Sequence, residues 1–122
     1  MAAIQGVVLF AHGSRDPLWH QPIEAVAARI RELDPQVLLS CAYLELTEPD
    51  LPSAVQRLIA AGAHAIRIVP LFLGVGRHAR EDLPALVAEL RTLHPQVQLT
   101  LQPAIGEDAR LVDLMARIAL FP

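Results

Sequence analysis

Lysine is absent from this 122-residue chain, cysteine occurs once, and aromatic residues number only five (three Phe, one Trp, one Tyr). Each shortage narrows the reading. The one thiol, Cys41, cannot form a disulfide within the chain, so a reducing, cytoplasmic setting is expected. Its neighbours Ser40 and Ala42 lie in a strand-like stretch, which makes Cys41 a core residue rather than a reactive thiol. With so few aromatics and 53% apolar residues, the core has to be aliphatic, and the length suits one domain. Apolar runs stay shorter than a membrane span, and Pro17 and Pro22 interrupt the region after the first strand, so no membrane partner is expected. The first strand starts about six residues in, an arrangement that predicts no signal peptide. A net charge of −3 lacks the basic field of a general nucleic-acid binder, so no nucleic-acid partner is expected either.

What the chain does have is a repeated alternation of strand and helix patterns, the signature of parallel βαβ units. The first strand is expected over about 6–11. Asp16 and Pro17 then supply a cap and a first-turn proline for a helix over about 17–34, with Ile23, Val26, Ala27, Ile30 and Leu33 at helical spacing. A second strand over about 37–44 precedes a helix announced by Pro49 and by Thr47 and Asp50, spaced as a weak capping box. Leu51, Val55, Leu58 and Ile59 form its apolar face, and Gly62 suits its C-terminal cap. The third strand spans about 65–71, where Pro70 marks its end. Asp82-Leu83-Pro84 reads as the start of the third helix, which His94-Pro95 stops. The fourth strand, about 97–102, alternates polar and apolar residues as an edge strand does. Gly106-Glu107-Asp108 opens the last helix, whose stripe is Leu111, Leu114, Met115 and Ile118. Short loops and right-handed crossovers favour a flavodoxin-like α/β domain: a four-stranded parallel sheet of order 2-1-3-4 with helices on both faces.

In such a sheet, ligands bind beyond the carboxyl ends of the strands at the switch point, here between the first and third. His12 follows the first strand and His78 follows the third, so the topology brings two imidazoles from distant parts of the chain to that crevice. Imidazoles bind divalent iron, cobalt, nickel and zinc, and two of them leave coordination positions open. Glu45, just past the second strand, is a third ligand or a base; the alternative is an exposed loop carboxylate. Arg15, Arg77 and Arg80 cluster beside the histidines and offer bidentate donors for carboxylates. Gly74 and Gly76 lack the full dinucleotide pattern and the P-loop lysine, and suit close approach of a flat ligand instead. Ser14 sits outside a nucleophile elbow and reads as a backbone cap. His20, near Trp19, either lines the crevice or packs, whereas His64 and His94 fall at the opposite ends of the strands. These residues leave three functions open: a metal-handling enzyme, a metal carrier without catalysis, or a binding module or phosphatase-type hydrolase.

The chain resembles the small class II chelatases of the sirohydrochlorin cobaltochelatase type, relatives of the sirohydrochlorin ferrochelatases. The resemblance rests on His12-Gly-Ser-Arg15-Asp-Pro, Leu44-Glu45 with Pro49, Gly62-Ala63, Pro70-Leu-Phe-Leu-Gly74, Gly76-Arg-His78, Asp82-Leu-Pro84 and Ile105-Gly106. It implies that His12 and His78 hold an incoming divalent metal (Co2+, Ni2+ or Fe2+) assisted by Glu45. The implied macrocycle is sirohydrochlorin, a tetrapyrrole with eight carboxylates, bound near Arg15, Ser14, Gly74, Gly76, Arg77 and Arg80. The metal would be a substrate, and no organic cofactor is expected. Long members of the family carry this unit twice and this chain carries it once, so the resemblance implies a homodimer.

Overall fold

The computed structural model describes residues 5–121. Four parallel strands, β1 (Gln5–Ala11), β2 (Leu38–Tyr43), β3 (Ala65–Pro70) and β4 (Gln98–Leu101), form one sheet of order β2-β1-β3-β4. Helices α1 (Gln21–Leu33), α2 (Leu51–Ala60), α3 (Arg77–Leu93) and α4 (Ala109–Leu120) follow the strands in turn. The expected fold class and strand order are those observed. No helix among the described residues is long and apolar enough to cross a membrane.

Period-two alternation along β1 and β3 divides the apolar residues between two faces. Val8, Phe10, Ile66 and Ile68 face one layer, where α2 contributes Leu51, Ala54, Val55 and Leu58 and α3 contributes Leu83, Val87 and Leu90; all are buried. Phe10 and Phe72 meet edge to face there, with centroids 5.9 Å apart. Leu9 points the other way, into a smaller cluster with Ile23 and Ala27 of α1 and Tyr43 of β2. Burying one such aliphatic side chain contributes roughly 1.5–3 kcal/mol, so the α2/α3 face carries most of the packing. Cys41, expected in the core, is instead half-buried on the edge strand β2, packed against the smaller cluster, and burial pushes its thiol above the ordinary value. Gly62 takes φ 108 after α2, the left-handed conformation of a helix C-terminal glycine. On β4, Leu99 is buried between exposed Gln98 and Thr100, as an edge strand requires.

Four boundaries differ from the sequence expectation. The first helix is two pieces, a 3-10 turn over Pro17–His20 and then α1. Pro22 has no N–H to offer Leu18, whose carbonyl instead accepts from Gln21 in a 3-10 bond. Thr47 takes no part in capping α2; Asp50 is the N-cap, its carboxylate accepting from Ser53 N–H at 2.9 Å. The last helix opens with a separate 3-10 turn over Ile105–Glu107, and Asp108 then caps α4 through Arg110 N–H. The third helix begins at Arg77, five residues before the expected start, and Pro84 lies inside it. Pro84 is exposed, so the Arg80 carbonyl that loses its helical donor faces water rather than the core. His78 is therefore helical, not part of a glycine loop.

Candidate active site

The site grows from the place where β1 and β3 separate. Phe10 is still in register with Pro70, and Leu71 N–H donates to the Phe10 carbonyl at 2.8 Å; beyond this bond the two chains part. His12 emerges here and lays its ring on Phe72, with centroids 4.6 Å apart and planes at 43°. Phe72 is buried, so a core residue on the β3–α3 loop forms the platform for an exposed imidazole from β1.

On the opposite side of β1, Leu44 N–H donates to the Ala11 carbonyl at 2.9 Å, carrying the β1–β2 ladder one step past Tyr43. That step sets Glu45 against Gly13. A Cβ on Gly13 would overlap the Glu45 carbonyl oxygen, so only glycine permits the approach. Glu45 then opens a tight turn closed by Thr47 N–H to the Glu45 carbonyl at 2.8 Å, with Leu46 at φ 64. A leucine in the left-handed region costs about 1–2 kcal/mol, a strain held at the rim of the crevice.

Thr47 ties this turn to the histidine loop. Its hydroxyl donates to the Ser14 carbonyl at 2.7 Å and accepts from Ser14 N–H at 3.3 Å. It also lies 3.2 Å from His20 Nε2. The hydroxyl has one proton, already given to Ser14, so the His20 contact requires Nε2 to carry the hydrogen. The His20 ring packs on Tyr43, centroids 4.9 Å apart. Sequence reasoning left His20 between lining and packing, and it does both. The role of Thr47 was missed because Thr47-x-x-Asp50 imitates a capping box. The Ser14 hydroxyl accepts from Asp16 N–H at 3.0 Å, the backbone cap expected of it.

Across the crevice, α3 starts with Gly76 as an extended N-cap (φ −63, ψ 160). Arg80 is the first residue whose N–H bonds within the helix, to the Gly76 carbonyl at 3.0 Å, so the N–H groups of Arg77, His78 and Ala79 have no helical acceptor. His78, Arg77 and Arg80 are all exposed on this turn. Arg77 lies 3.5 Å from Glu81, while Arg15 and Arg80 have no ion pair among the described residues. No atom lies within 4 Å of a Cβ built on Gly74 or Gly76, so these glycines border open space.

Two clefts adjoin this edge. A groove of about 960 Å³ has His12, Trp19 and His20 at one end and runs between α1 and α4 along the sheet; Arg110 and Gln102 line it too. Arg110 is held by Asp108 at 2.8 Å, and its guanidinium holds the Asp108 carboxyl down at about 2. A smaller polar cleft, about 380 Å³, includes Glu45, Glu48, Asp50 and Arg57. Of the expected site residues, His12 lines the first cleft and Glu45 the second, whereas His78, Ser14, Arg15, Gly74, Gly76, Arg77 and Arg80 line neither. No three His, Cys, Asp or Glu side chains among the described residues gather closely enough to hold a metal, so His12, His78 and Glu45 share an edge without forming a cage.

The fold is an α/β domain with one imidazole on the loop after β1 and another on the first turn of α3, the helix that follows β3. The CbiX family model matches residues 6–119, and the chain belongs to that family. It is 34% identical to the sirohydrochlorin cobaltochelatase of Methanococcus aeolicus over 69% of this chain and 59% of that protein. With the sirohydrochlorin cobaltochelatase of Methanocaldococcus jannaschii the identity is 26%, over 92% of this chain and 95% of that one. Among solved structures, a CbiX protein described as a putative cobalamin biosynthesis protein from Marinobacter aquaeolei superposes with a TM-score of 0.80 at 34% identity, covering 95% of this chain and 94% of that chain. The sirohydrochlorin chelatase SirB from Bacillus subtilis, solved with cobalt, gives 0.77 at 25% identity, but 96% of this chain covers only 50% of SirB.

Proposed function

We propose that this chain is a sirohydrochlorin metal chelatase that inserts a divalent ion, Co2+ or alternatively Ni2+ or Fe2+, into the macrocycle. The observation that carries this reading is the placement of His12 on the loop after β1 and of His78 on the first turn of α3, the segments that follow the two strands of the β1/β3 switch point in a CbiX-family domain. Here the ion is a substrate. A cargo ion needs ligands that release it, and an imidazole pair leaves positions for water and then for the ring nitrogens. Holding ion and ring together supplies the proximity that bimolecular insertion lacks.

Insertion replaces two pyrrole protons by one M2+, so two protons leave for each turnover. Glu45 or an imidazole accepts one of them in transit. The unpaired guanidinium groups of Arg15 and Arg80, with the free N–H groups that open α3, suit the peripheral carboxylates of the ring. Arg77 adds a third guanidinium. Gly74 and Gly76 leave room for a flat face to lie against the loop. The enzyme works in the cytoplasm as a homodimer, in which a second copy supplies what the other half supplies in a chain the length of SirB.

The test is anaerobic incubation of the purified protein with sirohydrochlorin and Co2+, Ni2+ or Fe2+, following macrocycle absorbance. Insertion should accelerate over the uncatalysed rate and fall by at least about 100-fold in His12→Ala and His78→Ala, both of which should remain folded because each imidazole is exposed. Full activity in either variant removes that histidine from the mechanism. Folded wild-type protein that binds metal but never accelerates insertion is a carrier, not a chelatase.

A further inference from the structure

Leu46 burdens this chain in two ways at once. Thr47 N–H donates to the Glu45 carbonyl two residues back, which makes a γ-turn centred on Leu46, and a φ of 64 makes it the rare, strained form. Glycine, and after it asparagine, takes that conformation at less cost. Among the described residues Leu46 is the one non-glycine with a positive φ. Its side chain is also 56% exposed and belongs to neither core cluster, so burial does not offset the strain.

The turn is held from outside. Tyr43 N–H donates to the Pro49 carbonyl at 2.9 Å and Leu44 N–H to the Ala11 carbonyl, while the Thr47 hydroxyl bonds to the Ser14 backbone. The conformation at position 46 is therefore imposed by its neighbours, and nothing in it calls for leucine. Strained residues persist where their surroundings over-determine them, and they gather at ligand clamps. The location suits a clamp. Leu46 directly follows Glu45, lines the smaller cleft with it, and stands at the carboxyl edge of the sheet on the β2 side of β1. On the β3 side of β1 the same edge carries Gly74 and Gly76, which border open space, and Leu73, 70% exposed although its backbone packs against Gly106.

We propose that Leu46 is a substrate-contact residue whose side chain packs on the face of the macrocycle from the β2 side, where it favours a flat apolar ring. This rests on the chelatase reading and deepens it. The imidazoles, Glu45 and the guanidinium groups suit an ion and the peripheral carboxylates, but none of them suits the face of the ring. Small-molecule sites combine a few placed polar groups with a mainly apolar lining. The γ-turn supplies that lining beside Glu45 by turning a leucine outward, at a position where the backbone alone would favour glycine.

The test compares Leu46→Asn with Leu46→Met in the full chain. Three readouts are used: thermal unfolding, anaerobic absorbance titration with metal-free sirohydrochlorin, and Co2+ affinity without the macrocycle. Leu46→Asn should leave Tm unchanged or raise it by up to about 6 °C, because asparagine tolerates the left-handed region. The same variant should bind sirohydrochlorin at least about 10-fold more weakly, through loss of the buried apolar contact. Leu46→Met, apolar and similar in volume, should restore the affinity to within about two-fold of wild type. Co2+ affinity should stay the same in both. A lower Tm in Leu46→Asn would assign the leucine to the fold and overturn the proposal. Unchanged sirohydrochlorin affinity would overturn it while leaving the chelatase reading intact. A parallel loss of Co2+ affinity would mean that the substitution acts through Glu45, and a change in sedimentation would mean that Leu46 lies between copies of the chain; either result overturns the contact. Wild-type protein that binds no sirohydrochlorin removes both readings, whereas wild type that binds the macrocycle without inserting metal removes only the chelatase.

Discussion

Replacing Gly13 with alanine separates what the crevice needs for folding from what it needs for chemistry. The new methyl group would occupy the position of the Glu45 carbonyl oxygen, and the Glu45 carbonyl carbon is also too close. Neither side can relieve the overlap by rotating a side chain, since both are backbone. Gly13 follows the β1–β2 ladder, and Glu45 is held by the turn to Thr47, which the Ser14–Thr47 bonds tie back to the same loop. Overpacking a closed contact costs about 1–3 kcal/mol, and a backbone-on-backbone overlap belongs at the upper end. For a domain of this size that lowers Tm by roughly 8–12 °C. The relief available is to push the two loops apart by an ångström or more, and a displacement of about 1 Å in positioning costs about 100-fold in rate. The matched control is Gly74→Ala, where no atom lies within 4 Å of the added carbon and φ is not in the left-handed range. That change should leave Tm unchanged or raise it, by up to about 1 kcal/mol of stability through the unfolded chain. It should still slow insertion if a flat macrocycle lies against the loop. Thermal unfolding and the absorbance assay, run on both variants, read the two effects separately. Gly13→Ala protein with wild-type Tm would refute the account of the loop contact, and Gly74→Ala protein with wild-type kinetics would refute the ligand floor.

Thr47→Val should lose the hydrogen bonds to Ser14 and the contact to His20 together, destabilising by about 1–3 kcal/mol. In NMR the His20 Nε2 resonance should then shift as it loses the hydroxyl acceptor; an unchanged ring would show that Tyr43 alone fixes it. Asp50→Ala should lower stability by about 1 kcal/mol near neutral pH through loss of the α2 cap. The bonds from Ser53 hold the Asp50 carboxyl below its ordinary value, so its contribution is complete above the unfolded-state pKa and fades as pH falls through the folded one. The stability gap between wild type and Asp50→Ala should therefore close on acidification below about pH 4, and a gap that widens in acid would contradict the capping role.

Much of this fold was readable in the sequence because its layers leave different marks. The apolar run from Val7 to Ala11 and the alternation from Gln98 to Leu101 distinguish a central strand from an edge strand, and that difference with right-handed crossovers limits the topology to a few orders, of which 2-1-3-4 is the one observed. Helix starts were less legible, because proline and capping residues signal in more than one way. Pro84 suggested a first turn, yet it sits in mid-helix where the carbonyl it deprives faces water. Thr47 resembled a cap, yet its hydroxyl is saturated by Ser14 and His20. Both misreadings concern the loops that build the site, where contacts between distant residues override local preference. The approach of the Glu45 turn to the loop after His12 depends in the same way on a close backbone contact at Gly13 that no spacing in the sequence announces.

The last helix poses the opposite problem, since its pattern was read correctly and still does not describe its surroundings. Leu111, Leu114, Met115 and Ile118 do fall on one face, as the 3.6-residue period requires, and an apolar face normally means a core. Periodicity, however, reports only that a face avoids water; it does not say whose surface covers it. In this chain α4 stands at the edge of a groove on the α1 side of the sheet, and its stripe stays exposed. The chain spans about half the length of SirB. If the homodimer proposed above is the working form, activity should fall on dilution in step with dimer dissociation, and activity independent of concentration would count against it.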